Sequence, residues 1–151
     1  VETDSCYYLF DYEKGCVPKM DITKPIFVLS SHGHPDHYNP EIFSLLNAYG
    51  MQDIQAILSE DIKIPANVNA LQVSPGKEYC LCQGQKLITL QSKDLGVAFL
   101  IEDHEKLIYH AGDLNDWVWK EENASYNEQM TKDYREQITF LSEKLNHRKQ
   151  H

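Results

Sequence analysis

Residues 26–38 read IFVLSSHGHPDHY, a short apolar run followed at once by a loop rich in histidine. The apolar run at 26–29 is typical of a buried strand. Four potential metal ligands leave the end of this strand within the six positions 32–37, namely His32, His34, Asp36 and His37. Neutral imidazoles and an ionised carboxylate are ligands that Zn²⁺ takes, and on one turn they can diverge to serve two neighbouring ions. Because the chain has only seven histidines in 151 residues, the pattern favours a metal site over a solvated surface turn.

The composition limits the class of protein and of partner. With 151 residues the chain is long enough for one domain with a core, spanning 1–151. Its formal net charge is -9, from 23 Asp and Glu against 14 Lys and Arg. A surface of this sign repels the phosphate backbone of a nucleic acid. We therefore expect a small-molecule substrate rather than a nucleic acid.

The cysteines and the start of the chain bear on the compartment. The chain has four cysteines and no CxxC pair, so neither a zinc ribbon nor a disulfide framework is implied. Cys80 and Cys82 are interpreted as ordinary buried thiols. The sequence has no signal peptide and no apolar span of about twenty residues, which favours a cytoplasmic protein without membrane contact. Because Val1 leads directly into strand-like sequence, we interpret the chain as a fragment that lacks its first residues.

Short apolar runs divided by Gly and Pro predict a β-rich chain. Runs of this length and composition, bounded by turn residues, are typical of strands. The predicted strands are 6–10, 26–29, 53–58, 68–73, 77–82, 86–91, 97–101 and 107–110.

Two helices are also predicted. Asn39 is a good N-cap, Pro40 suits the first helical position, and Gly50 supplies a left-handed stop. From about residue 125, apolar side chains recur at the spacing of an amphipathic helix, namely Met130, Tyr134, Ile138, Leu141 and Leu145. We expect this apolar face to pack on a sheet of the same domain. Strands and helices together predict a mixed α/β fold with helices covering sheet faces.

Two motifs, in the expected order, carry a resemblance to a known family. The loop His32–His37, read HGHPDH, resembles the HxHxDH motif of the metallo-β-lactamase fold superfamily, and residues 110–115, read HAGDLN, resemble its later Gly-Asp element. Residues 8–11 resemble its early strand ending in Asp, and residues 94–99 resemble the strand before the Gly-Asp element, so the resemblance covers nearly the whole chain. In particular the chain is similar to uncharacterised bacterial metal-dependent hydrolases with a GDLN motif, a lactonase-like branch. The implied fold is an αββα sandwich with the site at one edge, between two sheets.

The resemblance also implies a ligand set. His32 and His34 would bind a first metal, Asp36 and His37 a second, and Asp113 would bridge both, with Asp36 and Asp113 as the catalytic residues. The implied cofactor is Zn²⁺, as one or two ions. A carboxylate between two cations offsets their repulsion, and two metals can lower the pKa of a shared water toward neutrality.

Two departures from the family pattern concern further ligands. Family members place another histidine of the first metal shortly before the strand predicted at 97–101, but residues 91–94 read QSKD. Asp94 either replaces that imidazole, which tilts the site toward Mn²⁺ or Fe²⁺, or caps a turn. The last family histidine has no match, since His147 and His151 lie at or beyond the end of a helix. We therefore expect a domain truncated at both termini, whose exposed sheet edges allow a homo-oligomer.

Residues outside the motifs have open interpretations. Asp11 either orients a metal-bound histidine or is a carboxylate of a strand-end turn. His110 is a candidate proton donor or substrate contact, although a role in core packing is favoured. Trp117 and Trp119 wall the substrate pocket, or pack in the core or against a partner. Tyr38 donates to a substrate oxygen or serves packing.

The leading hypothesis is a metal-dependent hydrolase that uses a metal-bound hydroxide on an ester, lactone, amide or phosphodiester of a small molecule. No G-x-S-x-G element competes as a nucleophile device. The first alternative is a metal-binding member of the fold with little or no turnover, which the missing histidine near Asp94 supports. The second is a nuclease of the same superfamily, which the charge of -9 disfavours.

Overall fold

In the part of the chain that the structure describes, the protein is mixed α/β with two sheets and two helices. The computed structural model describes residues 1–82, 84–93 and 95–148, and the side chains of these except residues 147 and 148. In chain order the elements are β1 (Tyr7–Phe10), β2 (Ile26–Ser30), α1 (Glu41–Tyr49), β3 (Ile54–Ser59), β4 (Ala70–Val73), β5 (Glu78–Cys80), β6 (Lys86–Gln91), β7 (Val97–Asp103), β8 (Lys106–His110) and α2 (Ala124–Arg148). Every strand and helix predicted from the sequence is confirmed, with ends that differ by a few residues.

The first sheet is parallel and has the order β1-β2-β3-β4. Ile26 of β2 lies opposite Tyr7 on one side and opposite Ile54 on the other. All five residues of β2 are buried, as expected of a strand that is covered on both faces. Because the strands are parallel, the segments that follow β1, β2 and β3 all leave the sheet at the same edge.

The second sheet is antiparallel and has the order β5-β6-β7-β8. Phe99 near the start of β7 lies opposite His110 at the end of β8. On the other side of β7, Val97 at its start lies opposite Gln91 at the end of β6. The segments just after β6 and just after β8 therefore lie close together, beside the first residues of β7.

One apolar cluster joins the two sheets. Phe27 and Leu29 of β2 belong to it together with Phe99 and Ile101 of β7, and all four are at most 1 % exposed. Alternate residues of a strand point to opposite faces, so the same strand can serve two clusters. Val28, between Phe27 and Leu29, belongs to a second cluster on the other face of the first sheet.

Each helix covers the outer face of one sheet. Ile42 and Leu46 of α1 share the second cluster with Val28 of the first sheet. A third cluster places Leu141 of α2 against Leu100 of the second sheet. The expectation that the apolar face of α2 packs on a sheet of this domain is confirmed.

Both ends of α1 follow the sequence prediction. The helix begins at Glu41, and Pro40 before it already has helical φ and ψ of -65° and -12°. The side-chain Oδ1 of Asn39 accepts a hydrogen bond from the Glu41 amide at 3.0 Å, so Asn39 does cap the first turn as predicted. Gly50 at the other end has φ of 96°, the left-handed conformation expected of it.

The interpretation of Cys80 and Cys82 as buried thiols is wrong. Both are exposed, and Leu81 between them is 9 % exposed and belongs to the cluster that joins the sheets. Cys80 at the end of β5 alternates with the buried Leu81, and Cys82 lies in the turn that follows, so both thiols are exposed. Within the described residues, neither helix has the length and apolar character that crossing a membrane requires.

Candidate metal centre

The ends of three strands bring the predicted ligands together. The loop at 32–37 follows β2 directly, and Asp11 follows β1 at the same edge of the first sheet. Asp113 arrives from the other sheet, three positions after the last residue of β8. The candidate site therefore lies at one edge of the molecule, with side chains supplied by both sheets.

The donor atoms of five side chains form two groups that share one carboxylate. In one group, Nε2 of His32 lies 3.1 Å from Nδ1 of His34 and 3.4 Å from Oδ2 of Asp113. In the other, Nε2 of His37 lies 3.2 Å from Oδ1 of Asp113 and 3.4 Å from Oδ2 of Asp36. Neighbouring ligands of a tetrahedral ion with bonds of about 2.0–2.1 Å lie roughly 3.3 Å apart. The spacing in both groups fits ligands around an ion.

The same side chains also allow a site for one ion. His32, Asp36 and His37 each offer a ligand atom, and these atoms all lie within 4.8 Å of one another. Two ions would use both groups described above, with one oxygen of Asp113 for each ion. His32 is 2 % exposed, and buried imidazoles need partners, which either arrangement supplies.

Asp11 fixes the orientation of the surrounding side chains. Its Oδ2 accepts hydrogen bonds from Nδ1 of His37 at 2.8 Å, from Nε2 of His110 at 2.7 Å and from Oγ of Ser31 at 2.8 Å. Its Oδ1 accepts from the Ser31 amide at 2.7 Å. An ionised carboxylate only accepts, so His37 carries its proton on Nδ1 and leaves the lone pair of Nε2 for a metal. This is the contact required by the hypothesis that Asp11 orients a histidine.

The surroundings shift the pKa values of these groups in opposite directions. Burial alone would raise the pKa of Asp11, but hydrogen bonds from His110, His37 and the Ser31 amide hold it below its usual value. Burial lowers the pKa of His32, and the neighbouring charge of His37 lowers it further. Burial would lower the pKa of His37 as well, yet its hydrogen bond to Asp11 and the nearby carboxylates raise it. The neutral form of His32, which is the form that binds metals, is therefore favoured.

Two glycines allow the backbone of the two sheets to meet behind the loop. A Cβ on Gly96 would overlap the carbonyl oxygen of Ser31 and lie 2.6 Å from Cβ of His32. A Cβ on Gly112 would lie 2.8 Å from Cβ of Ser31. Both glycines have positive φ, of 84° and 52°, and the amide of Val97 donates to the Ser31 carbonyl at 2.9 Å. Only glycine permits this approach without displacement of the loop at 32–37.

Sequence reasoning missed several residues that support the loop. Ser31, Gly96 and Asp61 were not singled out, although Oδ2 of Asp61 accepts a hydrogen bond from the Gly33 amide at 2.7 Å. A signal for Asp61 existed, because it follows a predicted strand of the same sheet. A glycine directly before a strand is a weaker signal of close backbone approach.

The remaining candidates are placed differently. Asp94 and His151 lie outside the described residues, and so does the side chain of His147. Tyr38 packs with the cluster around α1, and its hydroxyl is buried without a hydrogen-bond partner among the described residues, which favours the packing role. His110 donates to Asp11 and stacks on the Phe10 ring with centroids 4.8 Å apart.

A small cavity opens beside the first donor group. Its volume is about 60 Å³, and it is lined by His32, His34, Lys93, Leu95, Asp113, Trp117, Trp119 and Met130. Among the described lining residues, two imidazoles and a carboxylate thus face an apolar and aromatic wall that carries the ammonium group of Lys93. The interpretation in which the tryptophans wall the pocket agrees with this placement.

Comparison with the models of known protein families and with curated proteins found no match for the chain.

Proposed function

We propose that the chain is a metal-dependent hydrolase with the αββα sandwich of the metallo-β-lactamase superfamily. Three clusters support this layer order: α1 packs on the parallel sheet, the two sheets pack on each other, and α2 packs on the antiparallel sheet. The order of the HxHxDH-like and Gly-Asp-like motifs supports the same assignment. A metal site at one edge between the two sheets is the arrangement that the resemblance implies.

The observation that carries the proposal is the position of Asp113. One of its oxygens lies 3.4 Å from Nε2 of His32 and the other lies 3.2 Å from Nε2 of His37. A carboxylate between two groups of imidazole donors is suited to bridging two cations, because its charge offsets their repulsion. Zn²⁺ fits this nitrogen and oxygen donor set, and Mn²⁺ or Fe²⁺ would also accept it.

A metal at this site would supply Lewis acidity, which lowers the pKa of water and polarises a carbonyl or phosphoryl oxygen. The protein contributes the orientation of the ligands, through the hydrogen bond from His37 to Asp11. It also contributes an accessible base: the Asp36 side chain is 71 % exposed and lies 3.4 Å from His37. We assign to Asp36 the removal of a proton from the attacking water and its release to solvent.

Ser31 is an alternative candidate nucleophile, since its Oγ lies 3.3 Å from Nδ1 of His32 and 3.4 Å from Nδ1 of His37. It is 1 % exposed, and its hydroxyl donates to Asp11 at 2.8 Å. A buried hydroxyl committed to a carboxylate cannot reach a substrate. Hydrolysis by activated water is therefore the better proposal, on an ester, lactone, amide or phosphodiester of a small molecule.

The first experiment measures bound metal by plasma mass spectrometry, after the protein has been offered Zn²⁺ and Mn²⁺ separately. We expect near two equivalents in the wild type, about one in Asp36→Asn and a loss from both groups in Asp113→Asn. His104→Asn serves as a control histidine, since the His104 side chain is 72 % exposed and does not belong to the group of His32, Asp36 and His37. Hydrolysis of lactones, esters and phosphodiesters should be abolished in both Asp variants.

Two results would contradict parts of the proposal. Full hydrolytic activity in Asp36→Asn or Asp113→Asn would refute the role assigned to that residue and the mechanism proposed here. Metal bound at full stoichiometry without any turnover of the screened substrates would instead identify a metal-binding protein that lacks catalysis.

A further inference from the structure

The two tryptophans of the chain lie on the wall of the metal-site cavity. Trp117 and Trp119 line the same cavity as His32 and Asp113, and they are the only two tryptophans in the sequence. Their residues are 45 % and 43 % exposed, although indole rings carry a large apolar surface. Exposed rings next to a cluster of donor atoms need an explanation that core packing does not give.

The pair is held in a defined geometry. The ring centroids lie 5.3 Å apart with planes inclined at 67°, an edge-to-face arrangement. Asn127 on α2 fixes the Trp119 backbone at both ends, accepting from its amide at 2.9 Å and donating to its carbonyl at 2.9 Å. Nζ of Lys93 donates to the Trp117 carbonyl at 3.3 Å. A surface ordered before binding loses less entropy when a ligand arrives.

The size of the cavity indicates how a substrate must lie. A volume of about 60 Å³ is small beside the roughly 300–1,000 Å³ of pockets that enclose a whole ligand. Only the reacting group of a substrate fits beside His32 and Asp113 in this space. The remainder must extend out of the cavity, across the exposed faces of Trp117 and Trp119 and past Leu95, which is 51 % exposed.

Lys93 and the metal ions proposed beside Asp113 favour a neutral ring over a cation at this pair. Tryptophan faces also attract cations, but Lys93 is in the same wall and metal ions would add further positive charge. A flat aromatic group can stack on one ring and meet the edge of the other, which a saturated group of similar size does less well. An anionic group next to that ring would be favoured by Lys93.

We infer that Trp117 and Trp119 form a subsite for a planar aromatic group of the substrate, adjacent to the bond that is hydrolysed. The inference rests on the proposed hydrolase function and narrows its substrate class to aryl-bearing esters, amides or phosphodiesters. The two tryptophans act in binding and specificity, while the donor groups carry the chemistry.

The test compares two probes that differ only in the aromatic character of one ring, benzylphosphonate and cyclohexylmethylphosphonate. Each is titrated calorimetrically into the full chain, with Zn²⁺ and without it. We expect benzylphosphonate to bind roughly three- to tenfold more tightly in both states. The double variant Trp117→Leu with Trp119→Leu should lose this preference, and the double variant with Phe at both positions should keep most of it. Val118→Ala is the matched control, since Val118 lies between the tryptophans, is 64 % exposed and does not line the cavity.

The outcomes separate this inference from the proposed function. Equal affinity of the two probes in the wild type, binding of neither, or an aryl preference that survives in the Leu variant would each overturn the subsite. A chain that binds no metal yet retains the aryl preference without Zn²⁺ would refute the hydrolase and leave the subsite standing. Turnover of saturated and aromatic substrates at the same rate would support the hydrolase and refute the aromatic subsite.

Discussion

At the scale of single residues, Asp11 connects more of the site than any of the proposed ligands. Its carboxylate accepts from two histidines, a hydroxyl and an amide, and it holds this position with φ of 45°. A non-glycine residue with positive φ is strained, and such strain persists where the surrounding contacts determine the conformation. The cost is offset by four hydrogen bonds to a buried charge, which are stronger than bonds between neutral groups.

We predict that Asp11→Asn weakens Zn²⁺ binding about 10- to 100-fold. The amide offers one accepting oxygen and a donating NH₂ group, which cannot satisfy both His37 and His110 in their present orientation. Competition with a chromogenic chelator measures the affinity. Asp4→Asn, at a fully exposed carboxylate, should leave the affinity unchanged. Wild-type affinity in Asp11→Asn would show that Asp11 does not orient the ligands.

A second residue-scale prediction concerns Gly96. Replacement by Ala places a Cβ against the Ser31 carbonyl and 2.6 Å from Cβ of His32, at a residue with φ of 84°. We expect Gly96→Ala to lower the free energy of unfolding by about 3 kcal/mol, from combined strain and overpacking. Gly76→Ala is the matched control, because Gly76 also has positive φ, of 68°, but a Cβ there meets nothing within 4 Å. Its cost should be about 1 kcal/mol. Equal losses in a urea titration would contradict the steric argument.

The residues that could be predicted from the sequence are those proposed as metal ligands. His32, His34, Asp36 and His37 are adjacent in the chain, so their grouping needed no knowledge of the fold. The contact of Asp113 with them was expected only through the family resemblance. The contact between Gly96 and Ser31 depends on how the two sheets pack against each other. The local sequence around either residue does not predict this contact.

At the scale of elements, the sequence predicted what was present but not how it was assembled. Apolar runs and turn residues identified each strand, and the apolar spacing of 130–145 identified α2. A period of two or of 3.6 assigns each side chain to a face of its own element. It does not select the neighbouring strand, so the parallel and antiparallel sheets and their orders could not be derived. The outward thiols of Cys80 and Cys82 were missed for the same reason, since the inner face of that segment was unknown.

The link between β5 and α2 leads to a prediction about pH. Hydrogen bonds from Lys144 of α2 and from Lys86 lower the pKa of Glu78 to about 2. A lowered carboxyl pKa means that the stabilisation is fully present above the unfolded value, near pH 4.5, and is lost as pH falls toward 2. Glu78 is 42 % exposed, so solvent screening limits the contribution to about 0.5 kcal/mol. We expect Glu78→Gln to lose this amount at pH 7 and none at pH 2, in urea titrations at both values. The same loss at both values would show that the ion pairs do not cause it.

At the scale of the whole molecule, the candidate metal centre spans the junction of the two sheets. The loop of His32 and His37 belongs to the parallel sheet, while Asp113 follows the last strand of the antiparallel sheet. An ion held by both would add to the hydrogen bonds from His110 to Asp11 and from Val97 to Ser31, which already join the two sheets at this edge. Its binding free energy would therefore contribute to the stability of the whole fold, because the unfolded chain cannot present these donors together.

We predict that Zn²⁺ raises the thermal midpoint of unfolding. A ligand at about 100 times its dissociation constant adds roughly 2.7 kcal/mol when it binds the folded state alone. For a domain of this length that corresponds to a rise of about 5–10 °C, measurable by calorimetry or circular dichroism. The four free thiols can bind Zn²⁺ in the unfolded chain and reduce the effect, so the scan is repeated with Mn²⁺, for which thiols have less preference. Asp113→Asn should abolish the rise with either metal, because among the described residues Asp113 is the carboxylate that reaches both donor groups. A rise of the same size in Asp113→Asn would mean that the stabilising ion is held without Asp113, as His32, Asp36 and His37 would allow, and that the ion does not connect the two sheets.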